Sequence, residues 1–204
     1  MRGLILLLFP VLLVGCRIPN GPLAEQPWVT HSCPPGSKNY SPGHRLAQQS
    51  VTEGYDFSFV ISADDWYAPE LLGKEAKDWL KAGGVSYFSL ARPGTYAKNR
   101  LSALVAFRMT ANRTYEACAY VNDAEGNFRF DGVRKLPVGD TIHVQYRLIE
   151  NSAVFNITHR GKTITSTFNN FEHANRQLSV GPWHGGSLPA PVPTRIQTRI
   201  SWID

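Results

Sequence analysis

In the stretch Ile142-His143-Val144-Gln145-Tyr146-Arg147-Leu148-Ile149, apolar side chains occupy every second position, and polar side chains fill most positions between them. An extended chain points successive side chains to opposite faces, so a period of two is typical of a strand with one buried face. The stretch therefore predicts a β-strand that packs Ile142, Val144 and Tyr146 on a core and leaves His143, Gln145 and Arg147 on its other face.

The same alternation recurs along the chain on both sides of this stretch. It is found at residues 57–61, 104–109, 115–121, 155–157, 164–165, 178–180 and 196–202. Glu150-Asn151-Ser152 and His159-Arg160-Gly161-Lys162 have the composition of hairpin turns. About ten short strands separated by turns predict an all-β antiparallel sandwich, whereas a doubly wound α/β fold would need a helix between most strands.

One segment departs from the alternation and predicts a short helix. Asp64 or Asp65 would cap it, and Pro69 suits its first turn. An apolar stripe follows and ends at Gly83-Gly84; it consists of Leu71, Leu72, Ala76, Trp79 and Leu80. We expect this helix to be inserted over an edge or a face of the sandwich.

Three further segments carry a resemblance to a known class of sandwich. They are Leu136-Pro137-Val138-Gly139-Asp140 before the first strand quoted, the hairpin Phe155–Lys162, and the stretch Val180–Pro191 with Trp183-His184-Gly185-Gly186 at its centre. Together they resemble the concanavalin A-like jelly rolls of bacterial lectins and glucanases, over residues 51–204. The resemblance implies a jelly-roll fold shared by polysaccharide lyases, glycoside hydrolases and proteins that only bind sugars, so it does not decide the function.

The first residues have the build of a secretory signal peptide. Arg2 precedes an apolar run from Leu4 to Val14, which is too short to span a membrane as a helix. Leu13-Val14-Gly15-Cys16 resembles the lipobox of bacterial lipoproteins, which implies cleavage after residue 15 and attachment of diacylglycerol and palmitate to Cys16. By the same resemblance, the arginine that follows Cys16 in place of aspartate implies the outer membrane. The alternative is an ordinary signal peptide with a chance cysteine.

The segment between this leader and the strands has the composition of a tether. Residues 16–50 are rich in Pro, Gly, Ser, Asn and Gln. We expect a signal peptide at 1–15, a lipidated tether with an N-terminal loop segment at 16–50, and the sandwich domain at 51–204. Cleavage would lower the formal charge from +5 to +4, and a small positive charge spread along the chain does not indicate a nucleic-acid partner.

The cysteine count fits this interpretation. With Cys16 lipidated, Cys33 and Cys118 remain as an even pair in an oxidising compartment. We predict a disulfide between them that ties the N-terminal segment to the sheet, with two buried thiols as the alternative. Because no C-x₂-C or H-x₃-H spacing is present, we expect no metal and no cofactor.

The catalytic patterns of this fold class are missing from the sequence. A retaining glucanase needs two carboxylates ~5 Å apart, but Glu116 stands alone on its strand, and Asp131 and Asp140 fall in predicted loops. The lyases carry patterns that resemble R-x-E-x-R, Q-[IV]-H and Y-x-K-x-G-x-Y-x-Q. Here His143 and Gln145 stand in the wrong order for the second, and Tyr96-Ala97-Lys98-Asn99 is a weak fragment of the third. The sequence therefore predicts no catalytic residue.

Features that bind sugars are present. Aromatic rings stack on sugar faces, and amide, guanidinium and imidazole groups hydrogen-bond to hydroxyls. The candidates of these types are Trp66, Tyr120, His143, Gln145, Arg147, Trp183 and His184. We expect Arg108, Tyr120, Gln145 and Arg147 to line one concave sheet face. The alternative is that Trp66 and Trp183 pack under loops, and we assign Trp79 and Trp202 to the core.

These observations predict a lipid-anchored envelope protein whose sandwich binds a glycan or another envelope component without catalysis, and whose other partner is the membrane. Two alternatives stay open. One is a polysaccharide lyase or glycoside hydrolase of the same fold, and the other is a structural or protein-interaction lipoprotein.

Overall fold

A computed structural model describes residues 22–42, 49–89 and 100–203. Within these ranges, twelve strands form two antiparallel sheets: β1 (Val29–Cys33), β2 (Gln49–Ser50), β3 (Gly54–Ile61), β4 (Leu80–Phe88), β5 (Ser102–Thr110), β6 (Thr114–Asn122), β7 (Phe128–Pro137), β8 (Ile142–Ile149), β9 (Ser152–His159), β10 (Lys162–Phe168), β11 (Arg176–Val180) and β12 (Thr194–Ile203). The strand order is β1-β12-β3-β8-β9-β10 in the first sheet and β2-β11-β4-β5-β6-β7 in the second. This architecture is the predicted jelly-roll sandwich.

The strand that dominated the sequence pattern lies in the middle of the first sheet. Strand β8 pairs with β3 and β9, and its side chains at Ile142, Val144 and Tyr146 are buried while those at His143 and Gln145 are exposed. The turn after it contains Glu150 with φ 52°, in the left-handed region that tight turns use. The alternation and the hairpin predicted from it are both confirmed.

Hydrogen bonds from tyrosine hydroxyls join the two sheets across the core. The Tyr87 hydroxyl on β4 lies 2.9 Å from that of Tyr146 on β8, and the Tyr55 hydroxyl on β3 donates to the Ala103 carbonyl on β5 at 3.1 Å. Burial raises the pKa of Tyr55, Tyr87 and Tyr146. These hydroxyls therefore stay protonated. Tyr87 and Tyr146 pair with each other and Tyr55 pairs with a backbone carbonyl, inside an apolar interior where an unpaired polar group would cost about 1–3 kcal/mol.

A second apolar layer covers the outer face of the second sheet. It contains Trp79, Phe88, Leu104, Ala106, Cys118, Tyr120, Leu178 and Val180. Cys33, by contrast, packs in the main core. The predicted disulfide is wrong, because both thiols are free and buried and they belong to different apolar layers.

The segment predicted as one helix contains two short 3-10 helices, Ala63–Asp65 and Pro69–Lys77. Neither Asp64 nor Asp65 caps the longer one, which begins after Ala68 and is interrupted at Gly73 with φ 53°. Asp65 instead binds the Arg195 guanidinium through both carboxylate oxygens. The predicted apolar stripe does not hold either, because Leu71 is exposed and Leu80 already begins β4.

The sandwich also includes residues that the composition placed in a tether or loop. Strand β1 pairs with β12 in the first sheet, so residues 29–33 belong to the sheet and not to a flexible linker. Asp131, predicted in a loop, lies in β7. In the described part of the chain, no helix is long and apolar enough to cross a membrane. The predicted signal peptide and the lipidated Cys16 lie outside the described residues.

Candidate ligand-binding groove

Two adjoining hollows of about 500 and 370 Å³ lie on the outer face of the second sheet. Both are lined by Lys81, Tyr120, Phe128 and Gly186, so they form one continuous depression, here called the outer groove. Its remaining walls come from the end of the longer 3-10 helix, from strands β4 to β7 and from the loop after β11. These lining residues are Lys77, Asp78, Trp79, Arg108, Asn122, Gly126, Phe130, Trp183, His184 and Gly185.

A row of aromatic rings follows the outer groove. The Tyr120 and Phe128 rings stack at 5.4 Å with 12° between their planes, and the Phe128 and Phe130 rings lie 6.3 Å apart at 20°. Trp79 completes the row, with its ring 5.2 Å from that of Phe130. Phe128 and Phe130 alternate along the edge strand β7 and remain 55% and 43% exposed. The row therefore presents apolar ring surface to solvent.

Lys81 lies at the meeting point of the two hollows and is almost fully buried. Its ammonium group donates a hydrogen bond to the Trp79 carbonyl at 2.8 Å and lies 4.1 Å from the centre of the Tyr120 ring. Burial lowers the pKa of Lys81 to about 8, and charge interactions with Cys118 and Asp78 partly oppose that shift. A buried amine with a lowered pKa beside aromatic rings in a groove is a typical functional-site signal.

Arg108 supplies a second cation to the outer groove. Its guanidinium lies over the Trp79 ring at 4.5 Å and forms an ion pair with Glu116 at 2.7 Å. Because Arg108 and Glu116 occupy directly paired positions on β5 and β6, the hydrogen bonding of the sheet itself holds the pair in place. The result is a guanidinium group that is fixed over the Trp79 end of the aromatic row.

The Glu75 carboxylate helps to hold the loop that forms one wall of the outer groove. Glu75 accepts hydrogen bonds from the backbone N–H groups of Ser187 and Leu188, at 2.7 and 2.8 Å, and from the Ser187 hydroxyl. Gly185 approaches β4 so closely that a Cβ at this position would lie 2.1 Å from the Trp79 carbonyl oxygen. Gly185 is therefore required by this close backbone approach, and Gly186 adopts φ 74°, in the left-handed region that favours glycine.

Three of the sequence-predicted site residues meet in the outer groove: Tyr120, Trp183 and His184. His184 is nevertheless buried, with Nε2 3.3 Å from the Tyr67 hydroxyl, and burial lowers its pKa. The His184 side chain therefore packs beneath the loop wall, on the side away from the open groove.

The other predicted residues lie elsewhere. His143, Gln145 and Arg147 stand on the outer face of the first sheet. The single concave face predicted to unite Gln145 and Arg147 with Arg108 and Tyr120 therefore does not exist. The Ser58 hydroxyl lies 2.9 Å from His143 Nδ1, and burial together with the Arg199 charge lowers the pKa of His143.

Two of these side chains also have structural partners. Arg147 contacts Asp56 at 3.5 Å. The Trp66 indole N–H donates to the Thr110 and Thr114 carbonyls at 2.9 and 3.2 Å, so Trp66 braces the β5–β6 hairpin and does not line the outer groove. The alternative that Trp66 packs under a loop fits this position.

Sequence reasoning missed Lys81, Phe128 and Phe130. Its assignment of Trp79 to the core is confirmed, since Trp79 is buried in the second apolar layer, and Trp79 also lines the outer groove. Two signals were available. Phe128 and Phe130 stand two residues apart on one face of a strand that also carries charged residues, and Lys81 is a single charge between Leu80 and Ala82. Among the described residues, no three His, Cys, Asp or Glu side chains converge on a metal-sized site.

Comparison with known proteins supports the fold. No protein-family model matches the sequence, and no curated protein matches it. Among solved structures, an alginate lyase from Klebsiella pneumoniae superposes with a TM-score of 0.52 at 7% identity, over 75% of this chain and 60% of that one. This chain thus spans less than two thirds of the length of that enzyme.

Two further superpositions are weaker. An alginate lyase of polysaccharide lyase family 7 gives a TM-score of 0.47 at 9% identity, over 78% of this chain and 66% of that one. A prokaryotic β-1,3-1,4-glucanase (lichenase) from a mouse hindgut metagenome gives a TM-score of 0.45 at 7% identity, over 86% of this chain and 79% of that one. The chain has a concanavalin A-like jelly-roll sandwich fold, and identities this low establish the fold alone.

Proposed function

We propose that this protein binds a polysaccharide chain along the outer groove. The observation that carries the proposal is the row of Trp79, Phe130, Phe128 and Tyr120, two of whose rings remain exposed in a groove. Sugar rings present C–H faces that pack on aromatic rings, while polar groups at the edge of the groove fix their hydroxyls. Arg108, whose side chain remains 29% exposed, supplies such a polar group beside the row.

Binding without hydrolysis is the form of this function that the groove favours. Hydrolysis of a glycosidic bond normally uses two carboxylates. Among the described residues that line the outer groove, Asp78 is the single carboxylate, and nearby Glu116 is committed to Arg108. The pair required for a glycoside hydrolase is thus not assembled on these residues.

A polysaccharide lyase is the second candidate, and one observation favours it. Lyases eliminate the leaving sugar after proton abstraction, which requires a base and an acid but no carboxylate pair. Lys81, with its pKa lowered to about 8, stands against Tyr120 in the outer groove. Incubation of the full-length protein with polysaccharides, followed by ultraviolet detection of unsaturated products, tests this activity.

The binding proposal is tested by titrating the full-length protein with polysaccharides of different composition and following tryptophan fluorescence, because Trp79 and Trp183 line the groove. We expect saturable binding that weakens at least tenfold, on the order expected for lost stacking partners, in the Phe128→Ala/Phe130→Ala double variant. Val133→Ala is the matched control, since Val133 is equally exposed on β7 but does not line the groove. Absence of binding to every polysaccharide, or equal affinity of the double variant, would contradict the proposal.

We further propose that Cys16 anchors the protein in the bacterial outer membrane. The support is the Leu13-Val14-Gly15-Cys16 segment and the apolar run before it, since several acyl chains at ~0.8 kcal/mol per CH₂ hold a protein stably at a membrane. Replacement of Cys16 by serine should move the protein from the membrane fraction to the soluble fraction. Unchanged retention in membranes would refute the anchor.

A further inference from the structure

The charge balance around Lys81 is incomplete. None of the ion pairs among the described residues includes Lys81. An ammonium group has three N–H donors, and the contacts of Lys81 use one donor for the Trp79 carbonyl and set the Tyr120 ring against the charge. A nearly buried cation that lacks an anionic partner is costly, and such groups are usually paired.

The groups that face Lys81 do not supply the missing anion. Burial raises the pKa of Tyr120 and of Cys118 on β6, so both stay neutral near pH 7. On β5 and β6, the Glu116 carboxylate is held by Arg108. Asp78, which precedes β4, interacts with Lys81 only at a distance, because no ion pair joins them.

The remaining neighbours add no negative charge. Lys77 and Arg108, which also line the outer groove, are cations. Burial lowers the pKa of His184 in the loop wall, which keeps its imidazole neutral near pH 7. The floor of the groove therefore carries a positive charge that an anionic ligand would balance.

We infer that the outer groove selects a polysaccharide with an acidic group, a carboxylate or a sulfate ester, and that Lys81 binds this group. The inference rests on the proposed function and deepens it, because it names the class of polysaccharide. The acidic group would accept a charge-assisted hydrogen bond from Lys81 while its sugar ring packs on Tyr120 and Phe128. Neutral polysaccharides have no anionic group that could offset the free-energy cost of burying the charged lysine.

A dependence on pH follows from this assignment. Lys81 is charged below about pH 8 and neutral above it. An acidic polysaccharide therefore binds most tightly below pH 8 and is released as the pH rises further, whereas stacking of a neutral chain does not follow this titration.

The test compares a polyuronate, a sulfated polysaccharide and a neutral β-glucan of similar length, each titrated into the full-length protein at pH 7 and pH 9.5. For at least one acidic chain, we expect affinity to fall at least tenfold at the higher pH and at least tenfold in Lys81→Met at pH 7. Lys74→Met is the matched control and should leave affinity unchanged, because Lys74 is an exposed lysine of the longer 3-10 helix that does not line the outer groove. The two acidic probes show whether the ligand group is a carboxylate or a sulfate.

The outcomes separate the two levels of the proposal. Equal affinity for neutral and acidic chains, or unchanged affinity in Lys81→Met, overturns the selection by charge and leaves polysaccharide binding intact. Binding of no chain overturns both. Thermal unfolding of Lys81→Met establishes that a lost affinity does not come from a lost fold.

Discussion

Lys81 and Trp183 exchange two backbone hydrogen bonds, each 3.1 Å long, so the loop after β11 continues the second sheet at the floor of the outer groove. The backbone pairing of Lys81 with Trp183 therefore fixes both the position of the lysine and the position of the loop wall. On the far side, the loop is tied to the N-terminal segment, because the His184 N–H donates to the Lys38 carbonyl at 2.9 Å and Lys38 Nζ donates to the Gly186 carbonyl at 2.8 Å. The wall of the groove is preorganised by backbone contacts on both sides.

Removal of the Glu75 carboxylate should loosen this wall. Glu75→Ala leaves the Ser187 and Leu188 N–H groups without their acceptor, and hydrogen bonds to a charged group contribute about 1.5–3 kcal/mol each. We expect faster amide hydrogen exchange at Ser187 and Leu188, and weaker binding in the groove. Glu75→Gln keeps one acceptor oxygen and should restore part of the protection.

Glu70→Ala is the control for the Glu75 variants, because Glu70 is an exposed glutamate on the same 3-10 helix. It should leave exchange at Ser187 and Leu188 unchanged. If Glu75→Ala also leaves that exchange unchanged, the carboxylate does not hold the loop.

Replacement of Lys81 by methionine should stabilise the protein at neutral pH. The pKa of Lys81 is lowered from 10.5 to about 8 by burial, so folding at pH 7 disfavours its charged form. Lys81→Met removes this cost, and we expect the free energy of unfolding at pH 7 to rise by roughly 1–3 kcal/mol. Chemical unfolding of both proteins measures the change.

The lowered pKa of Lys81 also determines how the stability difference between Lys81→Met and the wild-type protein changes with pH. Between about pH 8 and 10.5 the unfolded chain binds the extra proton, so the wild-type protein gains stability relative to Lys81→Met as the pH rises. The advantage of the variant should therefore be full below pH 8 and should disappear towards pH 10.5. An advantage that is the same at every pH would mean that packing, not charge, causes it.

The fold could be predicted from local alternation, while parts of the groove could not. Strand β8 shows its buried face in Ile142, Val144 and Tyr146, because one side of its sheet is apolar and the other is polar. Strand β4 gives no such pattern, since every residue of it is buried, with core on one side and the second apolar layer on the other. A strand that is covered on both faces shows no two-residue alternation of apolar and polar side chains. The sequence pattern therefore predicted neither β4 nor the position of Lys81.

The grouping of site residues failed for a different reason. Arg147 and Tyr120 both lie on the outward face of a strand. The two-residue alternation of apolar and polar side chains shows only on which face of its own sheet a residue lies. It does not tell which of the two sheets the strand joins. That pairing depends on contacts far apart in sequence, such as β3 with β8 and β4 with β11, which local reasoning does not contain.

Cys33 and Cys118 should behave as two inaccessible thiols. Both are buried, and burial raises the pKa of each, which suppresses the reactive thiolate. We expect peptides containing Cys33 and Cys118 to be alkylated only after unfolding, and the melting temperature to be unaffected by a reductant. A linked pair of these peptides in a non-reducing digest would contradict the free thiols.

Asp140 should carry a measurable part of the acid sensitivity of the sandwich. The hydrogen bond from His159 Nε2, at 2.7 Å, is the main cause that lowers the pKa of Asp140, and Arg160 adds to it at 2.9 Å. A lowered carboxyl pKa contributes stability above the ordinary value of about 3.9, and this stability is lost as the pH falls through the folded value. In Asp140→Asn, stability should therefore fall less steeply than in the wild-type protein between about pH 5 and 2. Thermal unfolding of both proteins across this pH range measures the difference. Arg160→Ala removes only the lesser, largely exposed partner and should flatten it less, whereas an equal effect of the two variants would assign the shift to Arg160.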